Sequence, residues 1–178
     1  MTYKKTLENY HAIVTECRST SQNFAGLRSP TSQHFHASVL FTKLCTTATS
    51  LLLLLPENEL SHKRMEHWDF ASTASLTRNI IECYLVFYYL CIDPVSANEW
   101  YCRWHILSLH DCVARKKLFS LLGETESEKQ FDILSEKLKQ RLIKNKYFSS
   151  LPDKEQSMYF KLDPLVFLPS LLKNGMLT

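Results

Sequence analysis

A pair of charges stands where charges are costly. Arg78 and Glu82 lie four residues apart inside an otherwise apolar stretch from Ala71 to Ile92. That spacing brings guanidinium and carboxylate onto one face of a helix, where they form an ion pair. The shared face also carries Leu85 and Tyr89 and is expected to point inward. A second stretch sets Arg103, His110 and Asp111 among Trp100, Trp104, Leu107 and Val113. An aspartate in a tryptophan and leucine stripe needs a donor, which Arg78 or Arg103 would supply. These five residues form the candidate site, a buried polar cluster shared by two helices. It is either a functional site or an ion network that sets helix register, since desolvation of a buried pair roughly offsets its attraction.

Other chemistries find less support. His34-x-His36, His62 with Glu66-His67, and His105 with His110-Asp111 supply metal-ligand types, but none has the helical spacing that aims ligands at one point. No metal and no cofactor is expected. The chain has no Gly-x-Ser-x-Gly turn and no cysteine visibly matched to a histidine and an orienting acid. With 3 glycines it has no phosphate-cradling loop. The basic runs Arg115-Lys116-Lys117 and Lys137 to Lys146 sit in the C-terminal halves of helices, where cations offset the dipole, and there is no DNA-binding motif.

The elements that must position these residues are helical. A first amphipathic helix spans about Leu7 to Cys17, and the Ser- and Thr-rich stretch Arg18 to Gln33 reads as a loop. A second helix runs from about His34 to Leu55 and stops at Pro56. Its run Leu51 to Leu55 covers all sides of the last turn, which should be deeply surrounded. After a polar link, a third helix spans about His67 to Ile92. The fourth has the clearest limits, Ala97 to Leu122, with Ser96 and Glu99 as a capping box and Gly123 as a left-handed stop. A second box, Thr125 to Glu128, starts a fifth helix with an apolar stripe of Phe131, Leu134, Leu138 and Leu142. Tyr147 to Phe160 reads as a loop and a short helical turn, and a short apolar segment runs from Asp163-Pro164 to Gly175. A helix stop so near the end suggests a shortened version of a longer protein.

Composition agrees with this reading. A chain of 178 residues, 45% hydrophobic and 12% aromatic, has enough apolar matter for one core, and few glycines and prolines disfavour turn-rich β folds. The expected fold is all-α, a single helical bundle of five or six helices over residues 1–178, with its core at about 34–145 and a weakly specified C-terminal segment at 146–178. A net charge of +3 is well short of a nucleic-acid-binding field. The 6 cysteines lack a C-x-x-C pair and read as free thiols of a reducing cytoplasm. Ser38 to Leu55 is interrupted by Lys43 and threonines, and Ile80 to Ile92 is short and carries Glu82, so both are read as core helices and no membrane partner is expected.

Two resemblances extend the reading. Arg103-x6-His110, and also Arg28-x5-His34, match the R-x4-6-H signature of HEPN domains. That resemblance implies a metal-independent ribonuclease of a toxin or phage-defence system. His110 would be general acid or base at a ribose 2′-hydroxyl, Arg103 would stabilise the phosphorane charge, and the motifs of a homodimer would converge on RNA. Residues His34 to Leu122 also resemble an uncharacterised bacterial helical family with an R-x3-E element, here Arg78 and Glu82, and an E-W-x-x-R element, here Glu99, Trp100 and Arg103. The competing expectation is an interaction or regulatory module with a protein partner. The ribonuclease requires an exposed groove walled by His110 and basic residues. The module requires Arg78, Glu82, Arg103 and Asp111 sealed in the core, with the largest pocket elsewhere.

Overall fold

Helix-forming residues between clear stop signals give seven α-helices, and no strand, among the described residues of the computed structural model, which are 2–57 and 69–161. They are α1 (Tyr3–Asn23), α2 (Ser32–Leu54), α3 (Phe70–Phe87), α4 (Ala97–Leu122), α5 (Thr125–Ile143), α6 (Lys146–Ser150) and α7 (Asp153–Lys161). The count exceeds the expected five or six because α6 and α7 form where a loop and one turn were expected. The Asp163 to Gly175 segment lies outside the described residues, as do His62, Glu66 and His67. The chain divides into two compact units, Met1–Asp93 and Pro94–Thr178.

In the first unit α1 is longer than its apolar spacing implied, and it runs on into the expected loop as far as Asn23. Tyr3 and Tyr10 fasten it to α2, donating to the carbonyls of Pro56 at 2.7 Å and Ala48 at 2.9 Å. Gly26, at φ 78°, turns the short link between the two helices. Along α2 the hydroxyls of Thr46, Thr47, Thr49 and Ser50 donate to carbonyls one turn back, so these polar groups are satisfied within the helix. Leu51 and Leu52 are buried but Leu53 is 42% exposed, so the leucine run is covered on part of its circumference and not all around. By length and composition alone α2 is also able to cross a membrane.

Helix α3 packs on α2 and begins at Asp69, whose side chain accepts from Ser72 N–H at 3.0 Å. Its end widens into a π-helical turn, Tyr88–Ile92, closed by Asp93 N–H on the Tyr88 carbonyl at 2.9 Å. Gln33 reaches back to the Cys91 carbonyl in that turn at 3.4 Å.

In the second unit α4 and α5 form a tight helical hairpin around Gly123. Gly123 adopts φ 74°, and Glu124 N–H bonds the Phe119 carbonyl at 3.0 Å, the left-handed helix stop that favours glycine. Helix α5 starts differently from expectation: Glu124 is the N-cap without a side-chain bond, and Thr125 is already helical. Its stripe is buried at Leu138 and Leu142, while Phe131 stacks on Phe119 at 5.5 Å and Leu134 is 43% exposed. Asn145 caps α6 through Phe148 N–H at 3.0 Å and donates to the Asn98 carbonyl at 2.8 Å, which ties α6 to the start of α4. Phe148 is 1% exposed and meets the rings of Tyr159 and Phe160 on α7.

Candidate functional site

The sequence-derived residues divide between the units. Arg78 and Glu82 belong to the first and pair as their spacing requires, Nε to Oε1 at 2.7 Å. The expectation that they face inward is corrected: their side chains are 73% and 42% exposed, because the inward side of α3 is taken by Cys83 and its apolar neighbours. Asp111 is likewise exposed at 59% and pairs with Arg115, one turn on, at 2.7 Å. It needs no donor from Arg78 or Arg103, since Arg115 on the same helix face supplies one. Arg78, Glu82 and Asp111 are therefore exposed where burial was expected.

Of the five, Arg103 and His110 are buried, at 9% and 6% exposure. Arg103 is held by Glu99, one turn earlier on α4, with Nε at 3.2 Å and a terminal guanidinium nitrogen at 2.7 Å from Oε1. The two side chains are 11% and 19% exposed, so the pair is largely buried. Glu99 also begins the helix, its N–H donating to Ser96 Oγ at 3.2 Å, while its carboxylate serves Arg103. One residue thus joins the cap to the ion pair.

Two tyrosines complete the surroundings. Tyr147 of α6 hydrogen-bonds the Glu99 carboxylate, and burial together with that charge and bond raises its pKa, with Arg103 opposing. Tyr159 of α7 is raised by burial first and then by nearby negative charge, Glu99 included. Cys102 is pushed up to about 12 by burial, then by Glu99, against the opposing charge of Arg103. Trp100, next to Glu99 in the chain, is buried and stacks parallel to Trp104 with ring centroids 6.4 Å apart. Tyr147, Tyr159 and Cys102 therefore keep their protons at neutral pH beside the ion pair.

Arg103 is buried as expected of it but pairs with Glu99, which the sequence offered as a cap and as part of the E-W-x-x-R element, and Tyr147 and Tyr159 were not among the expected site residues. The signal for Glu99 was present: Glu99-x3-Arg103 has the same one-turn spacing as Arg78-x3-Glu82. No local signal marked the tyrosines, which reach α4 only through the path of α6 and α7. Among the described residues no group of three or more His, Cys, Asp or Glu is arranged to hold a metal ion.

A separate concavity lies in the first unit. It measures about 470 Å³ and is walled by α1, α2, the link between them, and Phe87 of α3. Both members of the Arg28-x5-His34 match line it.

The model of a family of unknown function, DUF5677, matches residues 34–164. The chain belongs to the DUF5677 family. The matched stretch contains the Glu99–Arg103 pair and Tyr147 and Tyr159, and it begins at His34, so α1 and Arg28 precede it. Neither a search of curated proteins nor one of solved structures found a match.

Proposed function

We propose that this DUF5677 chain is a non-catalytic interaction or regulatory module of the bacterial cytoplasm, in which Glu99, Arg103, Tyr147 and Tyr159 act as an architectural network. Of the four residues the module was expected to seal, Arg78, Glu82 and Asp111 are exposed, so the reading rests on Arg103, which is buried and engaged by Glu99, and on the burial of His110. A ribonuclease needs its imidazole within hydrogen-bond reach of a ribose hydroxyl and its guanidinium turned to the phosphate. A guanidinium already neutralised by a carboxylate within the core serves packing instead.

The alternative is a HEPN-like metal-independent ribonuclease acting as a homodimer on RNA. It draws support from one observation, that Arg28 and His34 line the same cavity. Incubation of mixed-sequence single-stranded RNA with purified protein in excess chelator tests both readings, with His110→Ala, Arg103→Ala and His34→Ala beside the wild type. The module reading expects no cleavage by any of them and a lowered melting temperature for Arg103→Ala. Chelator-resistant cleavage lost in His110→Ala or His34→Ala overturns it.

A further inference from the structure

We propose that the cavity between α1, α2 and α3 of the first unit binds a small amphipathic carboxylate, with the apolar body among Phe24, Leu27, Phe41 and Phe87 and the carboxylate on Arg28 at the entry to α2. The inference deepens the module reading by naming a ligand class for it.

Size and lining come first. At about 470 Å³ the cavity falls within the roughly 300–1,000 Å³ that small-molecule sites occupy. Phe24, Leu27, Ala37, Phe41 and Phe87 give it an apolar floor edged by the hydroxyls of Thr20, Ser21, Ser38 and Thr42, and Phe24 and Leu27 are 67% and 65% exposed. Gly26 stands between them in the left-handed region, and Leu27 N–H bonds the Phe24 carbonyl at 3.3 Å, a tight turn that brings both side chains to the same rim. Large apolar groups held open to solvent around a concavity mark a surface that gains by being covered.

The polar side of the cavity selects the sign of the ligand. No carboxylate is among the lining residues, and Arg28 forms no ion pair with any described residue. Ser29, Pro30 and His34 place the first turn of α2 at the same rim, and that turn carries no acidic residue to offset the positive end of a 23-residue helix. Thr31 Oγ1 lies 2.7 Å from His34 Nδ1 and fixes the ring there. A cationic ligand would meet Arg28 and the helix dipole. A polyanion such as a nucleotide would find a single arginine to balance its charge, beside one histidine and a few hydroxyls. A single carboxylate on an alkyl or aromatic body uses both halves of the lining, the guanidinium through a charge-assisted bond and the walls through burial.

Titration of the full chain with decanoate and with 1-decanol, by calorimetry and by NMR shift mapping, tests the proposal on the wild type, Arg28→Gln, Leu27→Asp and Ala37→Phe. The wild type should bind one decanoate per chain with shifts centred on the cavity. Arg28→Gln should weaken decanoate roughly tenfold or more while leaving decanol unchanged, in line with loss of one charge-assisted hydrogen bond. Ala37→Phe fills the cavity and should abolish both. Leu27→Asp alters an exposed link residue, so it tests repulsion of the carboxylate even if Ala37→Phe fails to fold. No saturable decanoate binding, or binding undiminished in Arg28→Gln and Leu27→Asp, overturns the site. Chelator-resistant RNA cleavage would overturn the module reading and leave the decanoate result intact, so the two failures are separable.

Discussion

Glu99 and Arg103 meet at 2.7 Å across one turn of α4 with 19% and 11% of their side chains exposed. Removing either one leaves the other charge in a poorly solvated place. Arg103→Ala and Glu99→Ala are each expected to lower unfolding free energy by about 3 kcal/mol, and the double variant by much less than the sum. Urea denaturation of the two single variants and the double one measures this coupling. Additive losses would mean that the pair does not act as a unit.

The exposed pairs should behave in the opposite way. Arg78 and Glu82 lie at the same spacing, yet both side chains keep much of their hydration, and Asp111 is in the same position beside Arg115. Arg78→Ala and Asp111→Asn should leave the denaturation midpoint unchanged within error. A large loss from either would show that its side chain is covered in solution.

Acid should destabilise the fold through His105. Its pKa is held below the usual histidine value, first by burial and then by Arg141. Its Nδ1 is buried without a hydrogen-bond partner among the described residues, and its ring stacks on Tyr101 at 6.3 Å. With the folded pKa depressed below about 6.5, the unfolded chain binds more protons in that range, so stability is full above about 6.5 and falls as pH drops toward the folded value. Melting temperatures between pH 7.5 and 5.5 should decline, and His105→Gln should flatten the decline. His36, lowered by burial, contributes in the same direction.

The cysteines should resist alkylation while the chain is folded. Burial pushes Cys91 up to about 11 and Cys102 up to about 12, so little thiolate exists at pH 8. Iodoacetamide labelling of these two in native protein should be slower than in urea by roughly a hundredfold or more, read by peptide mass mapping. Equal rates would place these thiols in water.

Helix α4 was read to its ends, Ala97 and Leu122, because its start and stop are local chemistry: a serine oxygen for the free N–H of Glu99, and a glycine for a left-handed turn. The all-helical class and the Arg78–Glu82 pair were equally legible, since composition and one-turn spacing act over a few residues. Helix α1 exceeded its expected ends, and at its N-terminal end Tyr3 is tied to the Pro56 carbonyl just beyond α2, a tertiary bond that the pattern of α1 does not announce.

Burial was the part that spacing alone did not carry. Arg78–Glu82 and Glu99–Arg103 look alike in sequence, but one is open to water and the other is covered by α6 and α7, with Tyr147 on the carboxylate. Which face of a helix is covered depends on neighbours distant in the chain. Residue order alone carried the helical class, the cap and stop of α4 and the pairing of charges one turn apart, but not the start of α5 or the presence of α6 and α7. Only the tertiary structure decided which pair lost its solvent and where a cavity opened beside Arg28, because desolvation and concavity belong to the packing of whole helices and not to any one of them.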